Sequence, residues 1–175
     1  MVEEGKAFTT IGTSGVVFAH SDKVTIDPQG RVHTFCSAVP GCWTVMSCTL
    51  AAGLSLKWFR DNFFLEEMQT AKGMGVDPYY LMDRQAERAP IGANRLVYLP
   101  YLMGERSPKL DSDCRGVFFG LSAMHTKYDM LRAVMEGVST PSGNAWIFSR
   151  DGCGLQRDAG LRSGGSSPMW RQMMA

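Results

Sequence analysis

The chain has 175 residues, 45% hydrophobic and 20% charged, and its 18 Lys and Arg against 17 Asp and Glu leave a net charge of +1. Such a balance excludes a polyanion binder, which needs a clustered cationic excess, and the hydrophobic content excludes a disordered chain. No apolar run approaches the roughly 18 residues of a membrane-spanning helix, and the first residues, MVEEGKAFTT, lack the basic-then-apolar pattern of a secretory leader.

The front of the chain predicts β structure. Ala7–Ile11 and Val16–His20 are short β-prone runs, and Gly12-Thr13-Ser14-Gly15 between them has hairpin chemistry. Asp27-Pro28-Gln29-Gly30 is a turn, Val32–Val39 a third strand and Trp43–Cys48 a fourth. Periodicity then changes: Leu50, Leu54 and Trp58, with Ala51, Ser55 and Phe59 beside them, mark a helix running to Phe63 or Phe64. Asp77-Pro78 opens a second helix and Pro90 stops it.

Arg95–Leu99 is a strand closed by Pro100, Tyr101–Arg115 a polar loop, and Gly116–Leu121 a buried strand. From Lys127 to Val138, Met130, Leu131, Val134, Met135 and Val138 give a helix one apolar face, and Pro141 predicts a kink or end near Thr140. Ala159–Arg162 is the last strand, followed by Gly164-Gly165 and a helix near Ser167-Pro168. The order is α/β, with a meander at the front instead of regular alternation.

Five cysteines, Cys36, Cys42, Cys48, Cys114 and Cys153, form no C-x-x-C pair and are expected as free thiols in a reducing cytoplasm. His20, His33 and His125 lie far apart and are expected at the surface or core edge, so no metal site is expected. Asp111 and Asp113 are expected in a turn. Glu105-Arg106 either lines a cleft or forms a solvated pair. The Gly12–Gly15 turn offers backbone amides and two hydroxyls to phosphate oxygens, although an ordinary hairpin turn has the same composition. No Gly-Lys-Ser/Thr follows it, so it is not a Walker loop.

One stretch is more specific. GVFFGLSAMHTKYDMLRAVME combines Gly116, Phe118, Gly120 and Leu121 with Asp129, Met130 and Ala133 to Glu136, seven residues further on. This layout resembles the C-terminal signature of the FGGY family of carbohydrate kinases. Within the family, Thr10–Ala19, His33–Trp43, Ala51–Asn62, Leu99–Pro108, Arg115–Leu121 and Ser167–Met173 are similar in order to the xylulose kinases.

The resemblance implies an actin-like, ribonuclease H-like ATPase fold of α/β class, with residues 1–175 forming an incomplete second, nucleotide-binding domain truncated at both ends. It implies ATP with Mg²⁺ as phosphoryl donor and a ketopentose, D-xylulose, as acceptor, with no nucleic acid or membrane partner. Gly12, Thr13 and Ser14 would meet the ATP phosphates, Gly53 and Lys57 would approach the nucleotide, and Gly164 and Gly165 would lie against adenosine. The family's catalytic base is an aspartate in a Gly-Asp motif shortly before the Gly-Thr-Ser-Gly turn. Met1–Thr9 hold only Glu3 and Glu4 as acids, which places the base upstream of residue 1 and leaves these residues without kinase activity of their own. A non-catalytic actin-fold module that binds nucleotide or a protein is the alternative, and a self-associating fragment a third.

Overall fold

The computed structural model describes residues 4, 6–139, 159–163, 169, 172 and 173, with the backbone alone for 159–163. β1 (Ala7–Ile11) and β2 (Gly15–Ser21) form an antiparallel hairpin, with Ile11 opposite Gly15. β3 (His33–Cys36) and β4 (Trp43–Thr49) form a second hairpin, and β4 pairs antiparallel with β2. β3 is half the expected Val32–Val39, because the chain leaves the ladder at Ser37 and turns back through Gly41 at a φ of 78°. The Asp27 turn forms as expected: Gly30 N–H donates to Asp27 O at 3.0 Å.

Three helices follow: α1 (Gly53–Phe63), α2 (Leu65–Met74) and α3 (Pro78–Ala86). α2 was not among the expected elements. Its boundary is Phe64, which is fully buried and breaks the helical path at φ −123°, ψ 33°. α3 starts as predicted, Asp77 capping the Tyr79 amide at 2.8 Å.

Arg95 does not join the next strand. Ala93, Asn94 and Arg95 all have positive φ (45°, 54° and 72°), and β5 is Val97–Leu99. β6 (Val117–Phe119) pairs with it antiparallel in a separate two-stranded sheet. β6 is not the buried strand expected. Only its Phe118 turns inward, meeting Tyr98 at 4.8 Å between ring centroids, while Val117 and Phe119 are exposed beside Val97 and Leu99. A two-stranded sheet backed by helices on one side has one face to bury.

Residues 127–139 form α4, and β7 (Ala159–Ser163) pairs parallel with β1, completing the order β3-β4-β2-β1-β7. The expected kink at Pro141 lies outside the described residues. Of the last expected helix, Met169, Gln172 and Met173 are described and helical.

The main core joins α1, α3, α4 and β5 through Leu56, Phe59, Met82, Tyr98, Leu131, Val134 and Met135. Ala7, Ala19, Val32 and Val45 form a smaller cluster on the sheet. Tyr98 Oη donates to Ser55 Oγ at 3.1 Å, and Ser55 Oγ donates to Ala51 O at 2.6 Å, so both buried hydroxyls are satisfied. Among the described residues no helix is long and apolar enough to cross a membrane.

Candidate functional site

The turn after β1 is docked on the start of α1. Gly53 N–H donates to Gly12 O at 3.0 Å and Leu54 N–H to Thr13 O at 3.1 Å. α1 has no side-chain cap and no acid in its first turn, so these carbonyls take two of the amides a helix start leaves unpaired. Ser14 Oγ donates to Leu50 O at 3.2 Å, a third tie between turn and helix approach. Gly53 is required here: a Cβ would stand 2.2 Å from Gly12 O.

Within the turn, Gly12 N–H donates to Ser14 O at 2.9 Å. A Cβ on Gly12 would meet nothing closer than Ser14 O at 4.0 Å, so the outer side of Gly12 is open. Thr13 is exposed, and among the described residues its hydroxyl and amide have no partner. The turn therefore presents an uncommitted hydroxyl and amide beside an open glycine, while its carbonyls and the Ser14 proton are spent on holding it in place.

Gly12, Thr13, Ser14 and Gly53 thus come together. Lys57 stands one turn further along α1, exposed, with Nζ 2.8 Å from Asp61 Oδ2. The Lys57 ammonium, with Arg60 beside it, holds the Asp61 carboxyl below the usual carboxylate range. Gly164 and Gly165 lie outside the described residues. Their approach is described, however: Ser163, the residue before Gly164, pairs with Ile11, the residue before Gly12. β1 and β7 are parallel, so both glycine-bearing segments leave the carboxyl ends of adjacent strands, the edge of an α/β sheet where ligands commonly bind.

Glu105 supports this corner in a way neither expectation covered. It is 3% exposed, its Oε2 accepts from Thr49 Oγ1 at 2.6 Å, and its Oε1 accepts from the amides of Leu50 at 3.2 Å and Arg106 at 2.7 Å. It neither lines a cleft nor sits in water; it ties the 101–115 loop to the end of β4, next to the carbonyl that holds Ser14. A Glu flanked by Gly104 and Arg106 in a polar loop carries no periodic signal of burial. Nearby, Ser107 Oγ and Ser47 Oγ share a hydrogen bond at 2.8 Å. Cys48 is buried, and burial pushes its thiol up, which makes it inert at neutral pH. Asp111 accepts from the amides of Asp113 and Cys114 at 2.9 and 3.1 Å, the turn expected of it.

The signature stretch has a shared structural target. Asp129 Oδ2 accepts from the amide and hydroxyl of Thr126 at 2.8 and 2.7 Å, a capping box at the start of α4. Its Oδ1 accepts from Asn94 Nδ2 at 2.8 Å. Glu136 accepts from Gly92 N–H at 3.1 and 3.2 Å, and a Cβ on Gly120 would stand 3.0 Å from Arg95 O. Gly120, Asp129 and Glu136 all converge on the left-handed 92–95 turn, meeting Arg95, Asn94 and Gly92, and a positive φ costs about 1–2 kcal/mol per non-glycine residue and needs such clamps to persist.

The family model described as the C-terminal domain of the FGGY family of carbohydrate kinases matches residues 7–141. The chain belongs to this family. The FGGY kinases have the actin-like ATPase fold, and the β4-β2-β1-β7 sheet, an antiparallel meander with a parallel partner on its first strand, is its core here. The chain is 38% identical over 178 residues to the gluconokinase of Bacillus licheniformis, covering 99% of this chain and 34% of that one. It is 35% identical over 176 residues to the xylulose kinase of Bacillus subtilis (strain 168), covering 100% of this chain and 33% of that one. The crystal structure of xylulose kinase from Rhodospirillum rubrum superposes with a TM-score of 0.83 at 29% identity, over 99% of this chain and 33% of that one. The chain therefore spans about a third of the length of these FGGY relatives.

Proposed function

We propose that residues 1–175 are the nucleotide-binding part of an ATP-dependent sugar kinase. The observation that carries this is the pairing of Ile11 with Ser163, which starts the Gly12–Gly15 turn and the Gly164-Gly165 segment from the same sheet edge. In this reading the Thr13 hydroxyl and amide donate to the β- and γ-phosphates, and the open Gly12 lets the phosphates approach the backbone. Mg²⁺ enters as the ATP complex. Lys57 would exchange Asp61 for a phosphate oxygen, a swing its exposure permits. Gly164 and Gly165 would face the adenosine.

The reaction is in-line transfer of the γ-phosphoryl group to a sugar hydroxyl. A carboxylate outside residues 1–175 takes the hydroxyl proton, and the sugar pocket also lies outside them. We assign D-xylulose as acceptor and D-xylulose 5-phosphate as product on the likeness to xylulose kinases. The gluconokinase likeness supports D-gluconate as the second reading. The free thiols Cys36, Cys42, Cys48 and Cys114 suit a reducing cytoplasm.

A melting-temperature scan with Mg-ADP, Mg-ATP, D-xylulose and D-gluconate tests the division of labour. Stabilisation by both nucleotides and by neither sugar is expected, together with no ADP release when ATP and sugar are combined. Turnover of either sugar by the 175 residues would overturn the assignment of the base and pocket to other residues.

A further inference from the structure

The far end of β2 gathers three different metal-ligating side chains. In the β2–β4 ladder Ser21 is opposite Trp43, so one step further along Asp22 is opposite Cys42. His20 and Asp22 are two residues apart and share a face of the strand. The antiparallel register therefore puts His20, Asp22 and Cys42 on one side of the sheet end. His20 Nε2 lies 2.9 Å from Asp22 Oδ1, Cys42 Sγ lies 3.9 Å from the same oxygen, and the three donor atoms are all within 4.8 Å of one another.

We propose that these residues bind a zinc-class divalent ion, with water in the fourth position. Ligand bonds of about 2.0 Å for nitrogen and oxygen and about 2.3 Å for sulfur place tetrahedral N···O and O···S edges near 3.3 and 3.5 Å. The observed 2.9 and 3.9 Å bracket those two edges, and the third, from His20 Nε2 to Cys42 Sγ, lies within 4.8 Å, so closing the site takes a side-chain adjustment on the order of an ångström. One imidazole, one carboxylate and one thiolate select zinc over magnesium, which takes oxygen ligands.

The surroundings suit a cation. His20 is 7% exposed and held in the ladder, whereas the Asp22 side chain is 60% exposed, with both its neighbours on the one oxygen Oδ1. Glu4 adds a second carboxylate at the rim, accepting from Asp22 N–H and, at 3.5 Å, from Ser21 Oγ. Cys42 sits in a closed turn, its amide donating to Val39 O at 3.2 Å and its carbonyl accepting from Ser37 N–H at 3.0 Å. On binding, the Cys42 thiol loses its proton to solvent and the His20 proton resides on Nδ1, leaving the Nε2 lone pair for the ion.

β2 runs seven residues from Gly15 to Ser21, so this site is about 20 Å from the nucleotide turn at the strand's other end. The ion is a clip that joins the end of β2 to the 37–42 loop. It is independent of the phosphoryl-transfer reading.

Cobalt titration of the metal-free chain tests it. One equivalent of Co²⁺ is expected to produce a thiolate-to-cobalt band in the near ultraviolet, removed by Zn²⁺. Cys42→Ser, in a half-exposed loop, should abolish the band with an unchanged circular dichroism spectrum, and Asp22→Asn should weaken binding about tenfold or more. Cys36→Ser should leave the band intact. Absence of the band from the folded chain, or its persistence in Cys42→Ser, would overturn the proposal.

Discussion

The amide of Gly53 donates to the carbonyl oxygen of Gly12 at 3.0 Å, and a methyl group on Gly53 would stand 2.2 Å from that oxygen. The turn and the helix start therefore fit only with glycine at position 53. Gly53→Ala must push the Gly12–Ser14 turn outward, at a cost of about 2 kcal/mol in urea unfolding. Gly137 is a matched comparison, since its Cβ would stand 2.2 Å from Tyr98 O, far from the turn in sequence and contact. Both alanine variants should be destabilised, but only Gly53→Ala should lose Mg-ATP binding.

Glu105 receives hydrogen bonds from Thr49 Oγ1, Leu50 N–H and Arg106 N–H inside the protein. Glu105→Ala strands these donors and should cost about 3 kcal/mol by denaturant titration. Glu105→Gln keeps one acceptor oxygen and should recover part of that loss.

The left-handed turn yields a stabilising change. Arg95 is exposed at a φ of 72°, a conformation glycine adopts freely. Arg95→Gly should raise stability by about 1 kcal/mol, read as a higher melting temperature. Asn94→Gly should not, because the Asn94 amide donates to buried Asp129.

Asp129 makes the fold acid-sensitive. Its burial alone would push the carboxyl up, but the amide and hydroxyl of Thr126, the Asn94 amide and the nearby His125 more than offset this and hold it below the usual carboxylate range. A carboxyl with a depressed folded-state pKa stabilises the protein above its unfolded pKa of about 3.9 and loses that contribution as pH falls further. Stability should decline below about pH 4, and Asp129→Asn should flatten that decline while lowering stability at neutral pH.

Elements with a clear period or cap were legible in the sequence. The short β-prone runs mark β1, β2 and β4, and Asp77-Pro78 and the apolar face around Leu131 and Val134 mark α3 and α4. α2 was hidden because Phe64, at its boundary, reads as the end of α1; only tertiary burial of that ring separates two helices there. Val117–Phe119 reads as buried because it is apolar throughout, and the exposure of Val117 and Phe119 follows from pairing with β5 alone. The left-handed run at 93–95 has no local marker beyond Gly92, since its support comes from Gly120, Asp129 and Glu136 in distant sequence. Of the nucleotide-turn residues, glycine and hydroxyl chemistry marked Gly12, Thr13 and Ser14, but the docking on Gly53 and the strut from Glu105 exist only in three dimensions.

Calorimetric titration of Mg-ATP and Mg-ADP into the purified chain tests the central claim most directly, with wild type beside Thr13→Ala and Cys36→Ser. The account predicts one nucleotide bound per chain in wild type and Cys36→Ser, and affinity at least about tenfold weaker in Thr13→Ala, a loss of about 1.4 kcal/mol. No binding to the folded chain, or equal binding by Thr13→Ala, would contradict it.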